Sequence, residues 1–545
     1  MLSLIILLTS TLQAQPQPQP WIPQAAHNAR LAAEAYFRSN RVLHAWLNLA
    51  DPTTGLLPRM ENNPNWVVRD SAADLYPFMV IASHFTEPYL YRTSMLHILR
   101  QEMLLTRRVG NLSDDLQPGT KGWVRPNLEI DEVIFGSSEY MKDGLLPITE
   151  ILGETPWYWR MRDIANDMVD KSPYTWNGAK LPAQTAEING NALQVLARMS
   201  WKTRDPRYIS QLLHIADFYF LHQLAATNYL PAHEWDIKTD QPKRGVFVFS
   251  DHGNEIVGGL TEAFLFAKAL RPDKAKQWEP ALKKLLDRVL ETGRNKDHVW
   301  VHSVDVATGK VVDARHAHCW GYMFNAIYTG YLLTGEERYR TAVQQAMDSV
   351  ARNPHYLFDE QGAGRKWGSN AYSDSIEGAL VLLNRIPHPA LEKALDEAIV
   401  KFYSRQRDNG IIEYWYGDGN FIRTAIMFAF YKTQGTFLTP YDPRVQLGAV
   451  RDGQSVNLLI HADAPWQGQL RFDIPRHREH WNMLRNYPRL NEWPEWFTIE
   501  PSHSYNVTIN NQPPQKFFGF ELRQGIPLTV PAGEQAIIRV TPSGV

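Results

Sequence analysis

Five stretches of the chain concentrate side chains that move protons or hold a charged ligand: Glu187–Asn191, Asp251–Glu255, Arg315–Tyr322, Trp367–Asp374 and Tyr414–Asn420. The densest is the third, where His316 and His318 are flanked by Arg315, Trp320 and Tyr322. Burying so many polar groups without a task is costly, so this cluster and His252 mark candidate functional positions. Glu187, Asn191, Asn254, Trp367, Tyr414, Tyr416 and Arg423 join them as candidate substrate contacts, the aromatic ones as platforms for a sugar ring. Asn191, Asn254, Asn370 and Asn420 also suit helix caps.

The available chemistry is that of carboxylate, histidine, tyrosine and arginine. His316 and His318 stand two apart, which does not suit one helical face. No His-Glu-x-x-His motif occurs, and Cys319 is the one cysteine, so neither a metal nor another cofactor is expected. Phosphate loops of the Walker type and Gly-x-Ser-x-Gly elbows are absent from the sequence. Removing a proton beside a carboxylate needs Asn, protonated His or Arg to offset the growing negative charge. A tyrosine base, ordinarily near pKa 10, needs cationic neighbours such as Arg315, while Arg423 and Lys366 are candidates for holding a substrate carboxylate. Glu139, Glu187, Asp251, Glu255, Asp374 and Asp418 offer the carboxylate pairs that glycoside hydrolysis requires.

Each stretch must be held by a larger framework, and the hydrophobic pattern supplies one. Seven times an amphipathic helical segment precedes a nearly all-apolar one, the latter starting near Arg69, Asp131, Glu187, Asn254, His318, Asn370 and Asn420. Helices apolar on every side are buried, so seven wet outer helices shield seven inner ones in an (α/α)7 toroid, or (α/α)6 if one pair is lost. In the outer segment from Pro389, Leu391, Ala394, Leu395, Ala398, Ile399 and Phe402 make one stripe. The segment from Trp278 repeats it and ends at Gly293, placed for a left-handed cap. The inner helix starts share one mouth, where unpaired N–H groups favour an anionic ligand.

Beyond Thr439 short alternating runs broken by Gly, Pro and Asn predict a small C-terminal antiparallel β-sandwich over 441–545, after a toroid over 21–440. An Arg-, Trp- and Pro-rich insertion, Arg476–Trp496, is expected to reach toward the toroid. Residues 1–20 read as a signal peptide with cleavage after Ala14 and a Gln-Pro lead-in, which predicts a secreted or periplasmic protein. The 56 Lys and Arg nearly cancel the 58 Asp and Glu, so no global field draws nucleic acid or an anionic membrane surface. Oligomeric state is left open.

A leader, a helical toroid with a β domain behind it, and a mouth of Asn, His, Tyr and Arg resemble the α/α-toroid polysaccharide lyases, including alginate and glucuronan lyases. The resemblance is architectural. It implies β-elimination on a uronate glycan, an anionic polysaccharide partner, Asn191 or Asn254 neutralising the carboxylate, His252 or His318 assisting, and Tyr322 or Tyr372 acting as base and acid. The adjacent Asn-Asn-His arrangement of some such families is missing here. Hydrolysis by a carboxylate pair is the alternative, with sugar epimerisation and plain glycan binding behind it.

Overall fold

The computed structural model describes residues 19–358, 363–510 and 512–543, and of Asp251 and residues 363–368 only the backbone. Most of the leader, Met1 to Pro18, lies outside the described residues, as do the side chains of Asp251, Lys366 and Trp367.

Among the described residues, seven inner helical units run through Val68–Thr86, Ile130–Leu152, Ala186–Thr203, Asp251–Leu270, Trp320–Thr334, Ala363–Leu383 and Asn420–Lys432. Each packs on the next, and the last returns to the first, so the circuit closes as an (α/α)7 ring. The outer layer includes Ile22–Leu47, Pro156–Lys171, Pro206–Phe218, Pro272–Thr292, Glu337–Arg352 and Pro389–Tyr403. The stripe expected from Pro389 is buried residue for residue, while Glu392 and Lys393 stay wet. Ile22–Leu47 lies between the first and last inner units and bridges the seam of the ring.

Two features of the ring depend on glycine. A Cβ on Gly190 would lie 2.3 Å from the backbone carbon of Glu255, and one on Gly259 2.7 Å from Leu193, so these two inner helices meet backbone to backbone. Gly293 corrects the sequence reading. Its φ of −94° is right-handed, not the left-handed cap expected. Glycine is needed there for room, because a Cβ would collide with the Phe249 ring at 2.0 Å.

After the ring the chain forms a five-stranded antiparallel sheet, ordered Val445–Asp452, Ser455–Ala462, Glu534–Ser543, Ser504–Ile509, Gln515–Phe518. A three-stranded sheet of Thr436–Thr439, Trp466–Phe472 and Ile526–Val530 shares its apolar core. The first of these strands begins at Thr436, directly behind the last inner helix. The five-stranded sheet lies against Ile22–Leu47, with Asn28 Nδ2 donating to the Ala449 carbonyl at 2.8 Å. The 476–496 insertion behaves differently: Trp481, Met483, Tyr487 and Trp493 belong to the apolar core of the ring rather than to that of the sandwich.

Among the described residues, no helix is long and apolar enough to cross a membrane.

Candidate active site

All seven inner units open onto one cavity of about 620 Å³ at the mouth where their first turns gather. Asp70 and Asp74 come from the first, Glu139, Lys142 and Asp143 from the second, and Glu187 from the third. His252 and Glu255, Tyr322, Asn370 with Asp374, and Asn420 with Arg423 complete the circle. Loop residues Arg59, Arg125 and Trp415, with Arg69 at the start of the first inner unit, raise the walls, and Leu490 and Asn491 of the insertion supply the floor. The first two inner units pass through π-helical turns, Val68–Leu75 and Tyr140–Leu145, where they bear Asp70, Asp74, Lys142 and Asp143. Such turns rotate side chains out of the ordinary helical register and are frequent at functional sites.

The carboxylates of this cavity are not equivalent. Burial, and then the nearby negative charges of Glu187 and Asp143, push Glu139 well above the usual carboxylate range. Burial with Asp143 and Asp70 does the same to Asp74. Burial also acts on Glu187, but its hydrogen bond and charge contact with His252 Nδ1 outweigh it and hold Glu187 low. His252 in turn stands edge-on to His233, ring centroids 4.9 Å apart. Across the cavity, Asp374 is held low against burial by His318 Nε2 at 3.2 Å and by Arg423 at 3.2 Å. Glu255, raised by burial to about 7, pairs with Lys142 at 2.6 Å. Neutral and ionised carboxyl groups therefore stand in one cavity, the arrangement that separates proton donors from bases.

The sequence candidates divide by position. Glu187, His252, Tyr322, Tyr416 and Arg423 line the cavity. His318 stands behind it, buried against Asp374. Asn191 and Asn254 sit inside their helices, not at caps, donating to Ser138 Oγ at 3.3 Å and to Cys319 Sγ at 3.1 Å; they tie neighbouring inner helices together. Asn420 likewise joins the last inner helix to Asn370 at 3.1 Å and to Asp74 at 3.3 Å. Asp418 is buried beside it, accepting from Ser369 Oγ and the Asn420 N–H, and burial raises it to about 6.

Four expected contacts point elsewhere. Arg315 and His316 lie on the strand Val311–His316, where Arg315 is exposed and paired with Asp313 and His316 packs 5.3 Å from the Tyr356 ring. Trp320 is buried in the ring, its carbonyl accepting from Trp300 Nε1 at 2.9 Å. Tyr414 is exposed on the turn beside Trp415.

The tyrosine base needs the largest correction. Tyr372 stacks on Phe358 at 3.8 Å and its hydroxyl accepts from Arg405 at 3.3 Å, away from the residues that line the cavity. Tyr322 does face the cavity, but its hydroxyl is 2.8 Å from Asp374 Oδ1 and 3.1 Å from Glu377 Oε2. Burial and these carboxylates push its pKa far up despite Arg423, which keeps it protonated, whereas a base needs the opposite shift.

Sequence reasoning passed over Asp70, Asp74, Lys142, Asp143 and Asn491, and held Trp415 within the Tyr414–Asn420 stretch without singling it out. A charged pair such as Lys142-Asp143 within an otherwise apolar helix was the available signal, because charge inside a buried helix is rarely idle. Among the described residues, no group of three or more His, Cys, Asp or Glu side chains is placed to hold a metal ion.

No family model matches the chain, and neither does a curated protein. Among solved structures it is similar to the cellobiose 2-epimerase of Spirochaeta thermophila DSM 6192, at 14% identity over 70% of this chain and 100% of that one, TM-score 0.45. It is also similar to the GH76A alpha-1,6-mannanase of Salegentibacter sp. HEL1_6, at 13% identity over 61% and 95%, TM-score 0.42. A family 76 glycoside hydrolase from a bovine Bacteroides thetaiotaomicron strain matches at 9% identity over 73% and 78%, TM-score 0.41.

Proposed function

We propose that the protein is an exported glycan-cleaving hydrolase, with Glu139 as proton donor and Glu187 as the ionised partner. The observation that carries this reading is that Glu139 and Glu187 line one cavity in unlike surroundings, Glu139 among other carboxylates and Glu187 against His252. Glu187 is the strongest charged neighbour of Glu139, yet burial and that neighbour keep Glu139 protonated while His252 keeps Glu187 charged. Glycoside hydrolysis uses such a pair: the acid protonates the departing glycosidic oxygen, and the carboxylate acts at the anomeric carbon, directly or through water. His252 is then a positioning residue that fixes the charge and orientation of Glu187. Trp415 at the wall offers a stacking face for a sugar ring.

The cavity also bears on the substrate. Among the described residues, eight Asp or Glu side chains line it against five Arg or Lys, and Lys142 and Arg423 are engaged by Glu255 and Asp374. A neutral sugar avoids repulsion in such a place, so the proposed substrate is a neutral glycan rather than the uronate polymer implied by the lyase resemblance. β-Elimination is the weaker reading because Tyr322 is held as a neutral donor. The test is release of reducing ends by the wild type, Glu139→Gln and Glu187→Gln. Loss of about 10²-fold or more in both variants is expected for general acid–base groups; full activity in either removes that residue from the role.

A further inference from the structure

The 476–496 insertion leaves the sandwich and enters the ring from the end opposite the mouth. Its tip is tied around the circle rather than to one side. The Pro488 carbonyl accepts from Thr329 Oγ1 at 3.2 Å, the Leu490 carbonyl from Arg198 Nη2 at 2.6 Å, and Trp493 Nε1 donates to the Pro147 carbonyl at 3.1 Å. Asn491 donates to the Lys142 carbonyl at 3.0 Å and accepts from Arg423 Nη1 at 3.1 Å. These partners come from four of the seven inner units, spread around the ring, and a segment touching four such staves of a barrel lies along its bore. Leu490 and Asn491 are buried, yet they form the cavity floor. The tip is also held electrostatically: Arg489 pairs with Glu150 at 2.8 Å and Glu492 with Arg385 at 3.0 Å.

We infer that this insertion stoppers the bore and makes the catalytic cavity a blind well, so that the enzyme acts on chain ends and takes a terminal sugar in from the single mouth. The inference rests on the hydrolase reading of the same site. A glycan held across an open groove is cut internally, because chain extends from the scissile bond on both sides. In a well walled by all seven inner units and floored by Leu490 and Asn491, chain continues in one direction only.

The test incubates the full-length protein with cello-oligosaccharides, α-1,6-mannan, xylan and β-glucan, and follows product size by chromatography from the first minutes, with Glu139→Gln as the blank. Expected is one small product from the earliest time point, with the polymer peak scarcely moved. A ladder of intermediate lengths with a rapid fall in polymer size overturns chain-end action and leaves hydrolysis standing. Cleavage of none of the glycans overturns the hydrolase reading and this inference with it. Products that persist in Glu139→Gln remove the assigned acid while the size pattern still decides between end and internal attack.

Discussion

Replacing Glu150 by Gln should loosen the stopper, and the structure gives the size of the effect. Glu150 is fully buried near the end of the second inner unit, accepting from Arg489 Nε at 3.1 Å and Nη2 at 2.8 Å, with Arg198 Nη1 at 3.3 Å. Burial alone would raise its pKa, but the two guanidinium groups outweigh it and hold it at about 2 instead of 4.5. At 1.36 kcal/mol per pKa unit the ionised carboxylate contributes about 3 kcal/mol, within the range for breaking a buried pair by removing one partner. The folded pKa is depressed, so this stability is fully present above pH 4.5 and is lost as pH falls through about 2. Glu150→Gln should therefore unfold at lower urea than the wild type at pH 7, by about 3 kcal/mol, read by tryptophan fluorescence. The gap should narrow as pH drops below 4.5. Equal stability at pH 7, or a gap that does not change with pH, would refute the reasoning.

Three further outcomes follow from the same geometry. His252→Ala removes the contact that holds Glu187 low, so the acid limb of the pH–rate profile should move to higher pH, while Glu139, whose burial is unchanged, should keep the alkaline limb in place. Gly190→Ala drives a methyl group into the Glu255 backbone and should cost about 1–3 kcal/mol, measured as a lower urea midpoint. Trp415→Ala should raise KM several-fold with little change in kcat, because stacking at the wall holds ground state and transition state alike.

The ring was legible because burial writes itself into helical periodicity. The stripe from Leu391 to Phe402 and the apolar run from Phe421 to Phe430 have only one arrangement that hides both. The mouth was legible for a related reason: polar residues at the start of an apolar helix can point only toward the open end, which found Glu187, His252, Tyr322 and Arg423. Arg315 and His316 misled because the segment before the fifth inner helix is a β-strand, paired with Val301–Asp305, which sets Arg315 in solvent and His316 against Tyr356, neither on the cavity. Asp74 and Asp143 escaped notice because π-helical turns, which no simple period announces, carry them to the cavity. The floor was hidden by distance along the chain. Asn491 meets Lys142 across 349 positions, and composition could mark the insertion as unusual but not say where its tip would rest.

The most direct test of the central claim is a parallel assay of reducing ends and ultraviolet absorbance on matched panels of neutral and uronate-containing glycans. Hydrolysis through Glu139 and Glu187 predicts new reducing ends from a neutral glycan, no absorbance from a C4=C5 double bond, and abolition of both products and turnover in Glu139→Gln. Rising absorbance on a uronate polymer, undiminished in Glu139→Gln, would contradict it and restore β-elimination.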